Sequence, residues 1–278
     1  MSEPVLYLVG TPIGNLGDIS PRCREILEAV DFIAAEDTRN TLKLLNYMGI
    51  KKPLISYFEH NKRERGMEIL SRIQEGKTCA LVTDAGMPGI SDPGEDLVKL
   101  LTEEGYTVSV VPGPCALISA LVLSGLPTGR FSFQGFLSTA KKSRREHLEG
   151  LKYTKETLIF YEAPQKLRNT LADLLEYFGD RRVALCRELT KLHEEVQRGT
   201  LSEMIAYYAE KDPRGEYVLV LEGATEEKQE EAFWQKLTVA AHVDYYVQTG
   251  MTKKDAIKAA AIDRGVAKNE VYNEVMKK

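Results

Sequence analysis

The chain has 278 residues, a net charge of −4, 43% hydrophobic and 28% charged residues, which is ordinary for a globular protein long enough to hold two domains. The mild negative balance excludes a polyanion binder acting over its whole surface. No apolar run reaches the roughly 20 residues of a membrane-spanning helix, and no membrane association is expected. Cys23, Cys79, Cys115 and Cys186 form no C-x-x-C pair, the four histidines are scattered and H-E-x-x-H is absent, so no metal site is expected. The opening Met1-Ser-Glu-Pro does not lead from a basic stretch into an apolar one, so no signal peptide is expected and the thiols suit a reducing, cytoplasmic setting.

The first 115 residues alternate strand and helix patterns. Val5–Val9 reads as a buried strand, and Ser20-Pro21 supplies an N-cap and an N1 proline for a helix to about Ala29. Phe32–Ala35 reads as a strand, Thr38 to about Met48 as a helix stopped by Gly49, and Leu54–Phe58 as a strand. A helix follows from Asn61 to Glu75, then a strand over Thr78–Val82 and a helix over Pro93–Glu104. Thr107–Val111 is a strand and Cys115–Leu123 a helix. This order implies a mainly parallel sheet covered on both faces by helices.

The pattern changes near Gly125-Leu-Pro-Thr-Gly-Arg130. Phe131–Phe136, Thr157–Tyr161, Arg182–Cys186 and Tyr217–Leu221 are strand-like, and the polar His193–Arg198 reads as an edge strand. Helices are expected near Ser143–Tyr153, Pro164–Phe178 and Leu201–Ala209. More strands and fewer crossovers suggest a mixed second sheet. The Glu-rich residues 222–231 read as a linker or a helix start, and the small residues around Met251–Ile262, Gly265 and Val271-Tyr272 suggest a short helix pair with a Gly turn. The expected division is an α/β domain over 1–117, a second α/β domain over 118–224 and a helical extension over 225–278.

Three Gly/Pro loops directly follow predicted strands: Gly10-Thr-Pro-Ile-Gly-Asn15, Thr83-Asp-Ala-Gly-Met-Pro-Gly-Ile-Ser-Asp-Pro-Gly94 and Pro112-Gly-Pro-Cys115. Loops at the carboxyl ends of parallel strands converge on one cleft. Neither a P-loop nor G-x-G-x-x-G occurs, and the first loop and Ala85–Ser91 lack Lys and Arg. A phosphate-rich ligand would want charge there; a zwitterionic or cationic one held by backbone would not.

The loops, together with Ala35-Glu-Asp-Thr-Arg39, Ser56-Tyr-Phe-Glu-His-Asn61, Phe133-Gln-Gly-Phe136, Tyr161-Glu-Ala-Pro164 and Cys186-Arg-Glu-Leu-Thr-Lys191, resemble the tetrapyrrole methylase superfamily over residues 5 to about 222, and within it the branch acting on ribosomal RNA. The resemblance implies a two-domain fold and S-adenosylmethionine as methyl donor, bound in a cleft between the domains of a homodimer. It also implies 2′-O-methylation of a cytidine in the decoding region of 16S rRNA within the small ribosomal subunit. By position it assigns Pro12, Asp84, Gly86, Met87, Ile90, Cys115, Ala116, Glu162, Ala163 and Leu189 to the donor site; Cys115 stands where serine is expected.

The residues support parts of this directly. Asp84 can pair with the donor's ammonium, or close an Asx turn. Pro12 and Gly86 can serve the ligand or only the turns. Cys115 and Ala116 start a helix whose free amides favour a carboxylate. Glu162 either faces the site or is a surface residue before Pro164. Glu36, Asp37 and His60 are candidate general bases for a ribose hydroxyl, although Glu36 and Asp37 also stand where acids stabilise a helix start. Local basic stretches, seven Lys/Arg against two Glu over residues 39–65 and six against two over 141–155, suit RNA contact or solvated helix faces. Arg22, Arg39, Lys141, Lys142, Arg144 and Arg145 are the candidates for phosphate. Tyr57 and Phe58 suit either base stacking or a core. The same loops would serve an enzyme methylating a tetrapyrrole or other small molecule, and the acidic linker and basic tail would suit a non-catalytic RNA-binding assembly factor.

Overall fold

The computed structural model describes residues 3–225, 234 and 237–276. Residues 3–224 form one compact unit and the remainder a second.

The first half of the larger unit alternates β1 (Leu6–Val9), α1 (Pro21–Ala29), β2 (Phe32–Ala35), α2 (Thr38–Met48), β3 (Leu54–Ser56), α3 (Lys62–Gln74), β4 (Cys79–Val82), α4 (Glu95–Glu103) and β5 (Val108–Val111). The five strands form a wholly parallel sheet in the order β3-β2-β4-β1-β5. Helix starts and stops follow local chemistry. The Ser20 hydroxyl accepts from the Cys23 amide with Pro21 at the first position, and Gly49 ends α2 at φ 74°. Alternation along β2 sends Phe32 and Ala34 into a core with α3 and α4, and Ile33 and Ala35 into a core with α1 and α2. Both faces are therefore buried, and β2 is apolar throughout.

The second half contains α5 (Ala116–Ser124), β6 (Phe131–Phe136), α6 (Lys141–Leu151), β7 (Thr157–Glu162), α7 (Leu167–Phe178), β8 (Arg182–Arg187), β9 (Glu195–Thr200), α8 (Leu201–Glu210) and β10 (Tyr217–Leu221). Its sheet runs β6-β7-β10-β8-β9, parallel between β6 and β7 and antiparallel elsewhere. Helix α5 covers one face, and α6, α7 and α8 bury the other. A bulge at Gln134 in β6 shifts the alternation by one residue. Phe133 and Phe136 consequently lie on the same side, with ring centroids 4.9 Å and 5.6 Å from Tyr161.

Several expectations need correction. The strand predicted over Leu54–Phe58 stops at Ser56, and the helix predicted from Pro93 starts at Glu95 because Gly94, at φ 152°, cannot continue a helix. The edge strand lies at Glu195–Thr200, two residues later than expected. Among its described residues the smaller unit holds three helices rather than a pair: α9 (Val239–Gln248), α10 (Lys253–Arg264) and α11 (Lys268–Met276). Val243 packs with Ile257, Ala260 and Val271 in its core; the small residues of α10 allow that approach, and the missed helix was hidden by its mixed polar and aromatic sequence. Residues 226–231 of the acidic segment lie outside the described residues. Among the described residues no helix is long and apolar enough to cross a membrane.

The loops after β1 and β5 cross with glycine against glycine. A Cβ on Gly113 would lie 2.7 Å from the Gly10 Cα, and one on Gly10 would lie 2.6 Å from both the Gly113 Cα and the Met87 sulfur. Both obstacles include backbone, which has nowhere to move. Replacing Gly113 with Ala is expected to destabilise the protein by about 1–3 kcal/mol or more through overpacking, read as a lower midpoint in urea unfolding; an unchanged midpoint would refute this packing.

Candidate active site

A cavity of about 330 Å³ opens where the loops at the carboxyl end of the first sheet meet the second. Its walls on one side come from Ile13 after β1, Glu36 after β2, residues 84–87 and 90–92 after β4, and Cys115 and Ala116 after β5. The other side is built by Phe136, Tyr161, Glu162, Cys186–Leu189, Lys191 and Glu216–Val218. Strand direction explains the second set. Strand β10 runs against β7 and β8, so its first residue, Tyr217, pairs with Glu162 and Arg187 at their final residues.

Backbone holds the loops in place. The Thr11 amide donates to the Gly86 carbonyl at 2.9 Å and the Gly86 amide returns a bond to the Thr11 carbonyl at 3.1 Å. The Thr11 hydroxyl donates to the Thr83 carbonyl at 3.2 Å, and the Gly10 amide donates to Val111 at 3.1 Å. Three non-glycine residues near the cleft adopt left-handed backbone: Ser91 (φ 62°), Glu188 (φ 51°) and Thr190 (φ 66°). Each conformation costs roughly 1–2 kcal/mol, which the packed loops on either side must offset.

Carboxylates dominate the polar lining. Glu36, Asp84, Asp92, Glu162, Glu188 and Glu216 face Arg187 and Lys191 as the only Lys or Arg in the wall. Arg187 is bound to Glu195 and Lys191 to Glu188 at 3.2 Å. The Glu36 carboxylate accepts from the Thr83 hydroxyl at 2.6 Å, and Asp84 accepts from the Asn40 amide group at 3.1 Å. Burial, and then the Glu36 charge, push the Asp92 carboxyl up to about 7 against the opposing effect of the nearby Thr83 hydroxyl; Asp84 and Glu216 add to the rise. Burial also pushes the Tyr161 phenol up to about 12.

Of the residues assigned to the donor site, Asp84, Gly86, Met87, Ile90, Cys115, Ala116, Glu162 and Leu189 line the cavity, and Pro12 and Ala163 stand one residue from wall positions. Glu162 is 2% exposed, not a surface residue. Its carboxylate accepts from the Ala163 amide at 2.8 Å and from the Thr170 hydroxyl at 2.5 Å. Cys115 caps α5 without a side-chain hydrogen bond, leaving the first amides of that helix beside the cavity.

The candidate bases separate. Glu36 is in the wall. Asp37 caps α2, accepting from the Arg39 amide at 2.8 Å, and its paired Arg39 guanidinium pulls the carboxyl down to about 2. His60 lies on an exposed turn beside Phe58, away from the wall. Tyr57 is 1% exposed in the core under α3 and α4, so it is not a stacking platform, whereas Phe58 is 37% exposed.

The candidate cations also differ. Arg22 is exposed on α1, and Arg39 is exposed but tied to Asp37. Lys141, Lys142 and Arg145 are exposed on α6, beside an open depression of about 800 Å³ shared with Lys166 and Tyr177. Arg144 instead turns inward, bonding Asp173 at 2.6 Å and the Thr170 hydroxyl at 2.8 Å. Arg144, Thr170 and Glu162 thus form a continuous chain from that depression to the cavity.

Asp92, Tyr161, Glu188 and Glu216 were not singled out from the sequence. Asp92 lies within the second Gly/Pro loop and Glu188 within a quoted motif, so their position was visible although their role was not. Glu216 carries no local signal, since only the antiparallel direction of β10 brings it to the site.

Residues 5–205 match the family described as Tetrapyrrole (Corrin/Porphyrin) Methylases. The chain belongs to this tetrapyrrole methylase family. It is 50% identical over 269 residues to the ribosomal RNA small subunit methyltransferase I of Halalkalibacterium halodurans, covering 96% of this chain and 93% of that protein. It is 49% identical over 271 residues to the protein of the same name in Bacillus subtilis, covering 97% and 93%. Among solved structures, the methyltransferase CobJ superposes with a TM-score of 0.61 at 16% identity, over 80% of this chain and 95% of that one. The uroporphyrin-III-C-methyltransferase of Thermus thermophilus gives 0.56 at 20%, over 77% and 93%. Such distant likeness carries the methylase fold alone.

Thr170 is the link whose loss is most informative. Replacing it with Val removes one donor from a buried carboxylate and should cost about 1–3 kcal/mol, with recovery in Thr170→Ser. Calorimetric melting temperatures that are equal for all three proteins would show that the Glu162 contact contributes nothing.

Proposed function

We propose that the protein transfers a methyl group from S-adenosylmethionine to the 2′-hydroxyl of a cytidine ribose in the decoding region of 16S rRNA, within the small ribosomal subunit. The supporting observation is the carboxylate-rich, glycine-crossed cavity, in a chain about half identical to relatives named for ribosomal RNA methylation. The cavity chemistry fits the donor. Five wall carboxylates besides Glu188, which pairs with Lys191, favour a ligand with ammonium and sulfonium charges, since Arg187 is held by Glu195, and the amides opening α5 suit its carboxylate. In this reading Asp84 pairs with the ammonium, Gly86, Met87, Ile90, Ala116 and Leu189 surround the rest, with Pro12 and Ala163 behind them, and Cys115 takes part through its backbone.

When bound, the donor supplies an electrophilic methyl whose departure leaves a neutral thioether. The chain must align the hydroxyl with that methyl and take up the hydroxyl's proton, because the hydroxyl ionises far above neutral pH. Glu36 is the proposed proton acceptor: it is in the wall, and the Thr83 hydroxyl orients it. Asp37 and His60 are less suited, the first being spent on a cap and an ion pair and the second standing outside the wall. Exposed Lys141, Lys142 and Arg145, with Arg22 and Arg39, are the proposed phosphate contacts. Arg144 acts through Thr170 rather than on RNA.

A homodimer accompanies this reading. Strand β5 is an edge of the first sheet, and Val110 on it is 46% exposed, as are Ile118 at 43% and Val122 at 70% on the following α5. An apolar edge of this kind needs a cover. The free thiols of Cys23, Cys79, Cys115 and Cys186 suit a cytoplasmic location.

Small subunits from cells lacking the protein, incubated with methyl-labelled donor, should gain label on ribose, located by mass spectrometry. Label on a tetrapyrrole instead would favour small-molecule methylation, and RNA binding without label would favour an assembly factor. Glu36→Gln should lower turnover by about 10²–10⁴-fold with donor affinity far less affected; near-normal turnover would remove Glu36 as acceptor. Val122→Glu should convert a dimer to a monomer in light scattering, and a wild-type monomer would refute the dimer outright.

A further inference from the structure

The motif Phe133-Gln-Gly-Phe136 takes no part in the donor site described above, yet its last residue stands in the cavity wall. Two large apolar side chains of that wall stay exposed, Ile90 at 45% on one side and Phe136 at 55% on the other. Of the other aromatic rings in the wall, Tyr217 is buried and Tyr161 half-buried. The Phe136 ring owes its place to the bulge in β6. In an unbroken strand residues 133 and 136 would face opposite sides of the sheet; the extra residue at Gln134 puts both on the side of Tyr161. Contacts on every side hold the bulge. The Gln134 side chain donates to the Ser132 hydroxyl at 2.6 Å and accepts from the His147 ring of α6 at 2.8 Å. Gly135 is left-handed at φ 64°, and a Cβ on it would lie 3.8 Å from the Ser91 hydroxyl oxygen, so β6 meets the loop after β4 at this rim. Tyr161 supports the Phe136 ring edge to face, with centroids 5.6 Å apart.

We infer that Phe136 is the platform on which the base of the target nucleotide stacks at the mouth of the cavity. This placement rests on the RNA-methylation reading above and adds to it the side chain that receives the substrate. Unpaired RNA bases are held by stacking on aromatic rings, and because every base has a π-face such a ring supplies affinity and placement rather than base identity. The donor-site residues Glu162 and Leu189 are 2% and 6% exposed, whereas Phe136 is over half exposed, which puts its ring at the rim and not at the floor. Glu36 stands on the opposite side of the same cavity. A base laid on Phe136 therefore leaves its ribose facing the space between the ring and the proton acceptor, where hydroxyl and methyl must be aligned. The charge setting fits the same substrate. Helix α6 begins five residues after Phe136 with Lys141 and Lys142 and has no acid in its first turn. Five residues span at most about 18 Å, so the ring and these cations are within reach of one short RNA segment. The bond from His147 to Gln134 ties that helix to the bulge that sets the ring.

Initial rates are measured on small ribosomal subunits from cells lacking the protein, with S-adenosylmethionine saturating, and donor affinity is measured separately by calorimetry. Phe136→Ala should raise KM for subunits about 5- to 150-fold, the range that a lost base–aromatic stack gives, with kcat changed far less and donor affinity unaltered. Phe136→Leu keeps apolar bulk without a π-face and should remain impaired, while Phe136→Tyr keeps the ring and should return KM to near the wild-type value. A Phe136→Leu variant equal to the wild type overturns the platform. So does a loss of donor affinity with an unchanged KM for subunits, which would put the ring on the donor instead. Wild-type protein that transfers no label to subunits would instead sink the methylation reading itself.

Discussion

The contact of Gly10 with Gly113 sets the distance between two strand-following loops at backbone-to-backbone separation, and the shape of the cleft depends on it. Parallel strands deliver their loops to one edge, but only to within the width of the side chains between them. Removing both side chains lets β1 and β5 send their loops across one another, with Met87 of the third loop wedged against the same point. The reciprocal bonds of Thr11 and Gly86 complete the clamp. Main-chain groups, which cannot change rotamer, therefore build this wall, and pre-organisation of that kind lowers the ordering cost of binding.

On this rigid edge the electrostatics are one-sided. Carboxyl groups from the end of β2, the β4 loop, β7, the turn after β8 and the approach to β10 converge, while of the two wall cations Arg187 is held by Glu195 from outside the wall and Lys191 by Glu188. Each carboxyl has a separate constraint. Glu36 is oriented by Thr83, Asp84 by Asn40, and Glu162 by Thr170 and the Ala163 amide. Asp92 is the one that burial and neighbouring charges press towards its neutral form. Crowded like charges in a half-buried space are eased when a proton or a ligand offsets them, which is the basis of the cationic donor proposed above.

The α6 helix shows how one basic run can hold two unlike roles. Lys141, Lys142 and Arg145 face outward, while Arg144 is drawn in by Asp173 and Thr170. Linear spacing along a helix assigns faces only when the neighbouring helix is known, and here α7 supplies both partners of Arg144. The same reasoning divides Asp37 from Glu36: adjacent acids at the end of a strand point to different tasks because the first helical amides take one of them.

Much of the fold was legible in local chemistry. Ser20-Pro21, Gly49 and the alternation of β2 mark their elements without outside help, since caps, left-handed turns and burial periodicity act within a few residues. The three Gly/Pro loops pointed to one composite cavity, and residues of all three line it. Other features required the third dimension. The helix Val239–Gln248 is stabilised by packing with α10 and α11 rather than by a clean periodicity of its own. The burial of Tyr57, the inward turn of Arg144 and the arrival of Glu216 depend on partners distant in the chain. The sequence by itself determined where strands end and which loops follow them, because those signals are short-ranged. Only the tertiary structure decided which carboxyl groups share one space, because strand order and direction, above all the antiparallel run of β10, bring together residues that no local pattern relates.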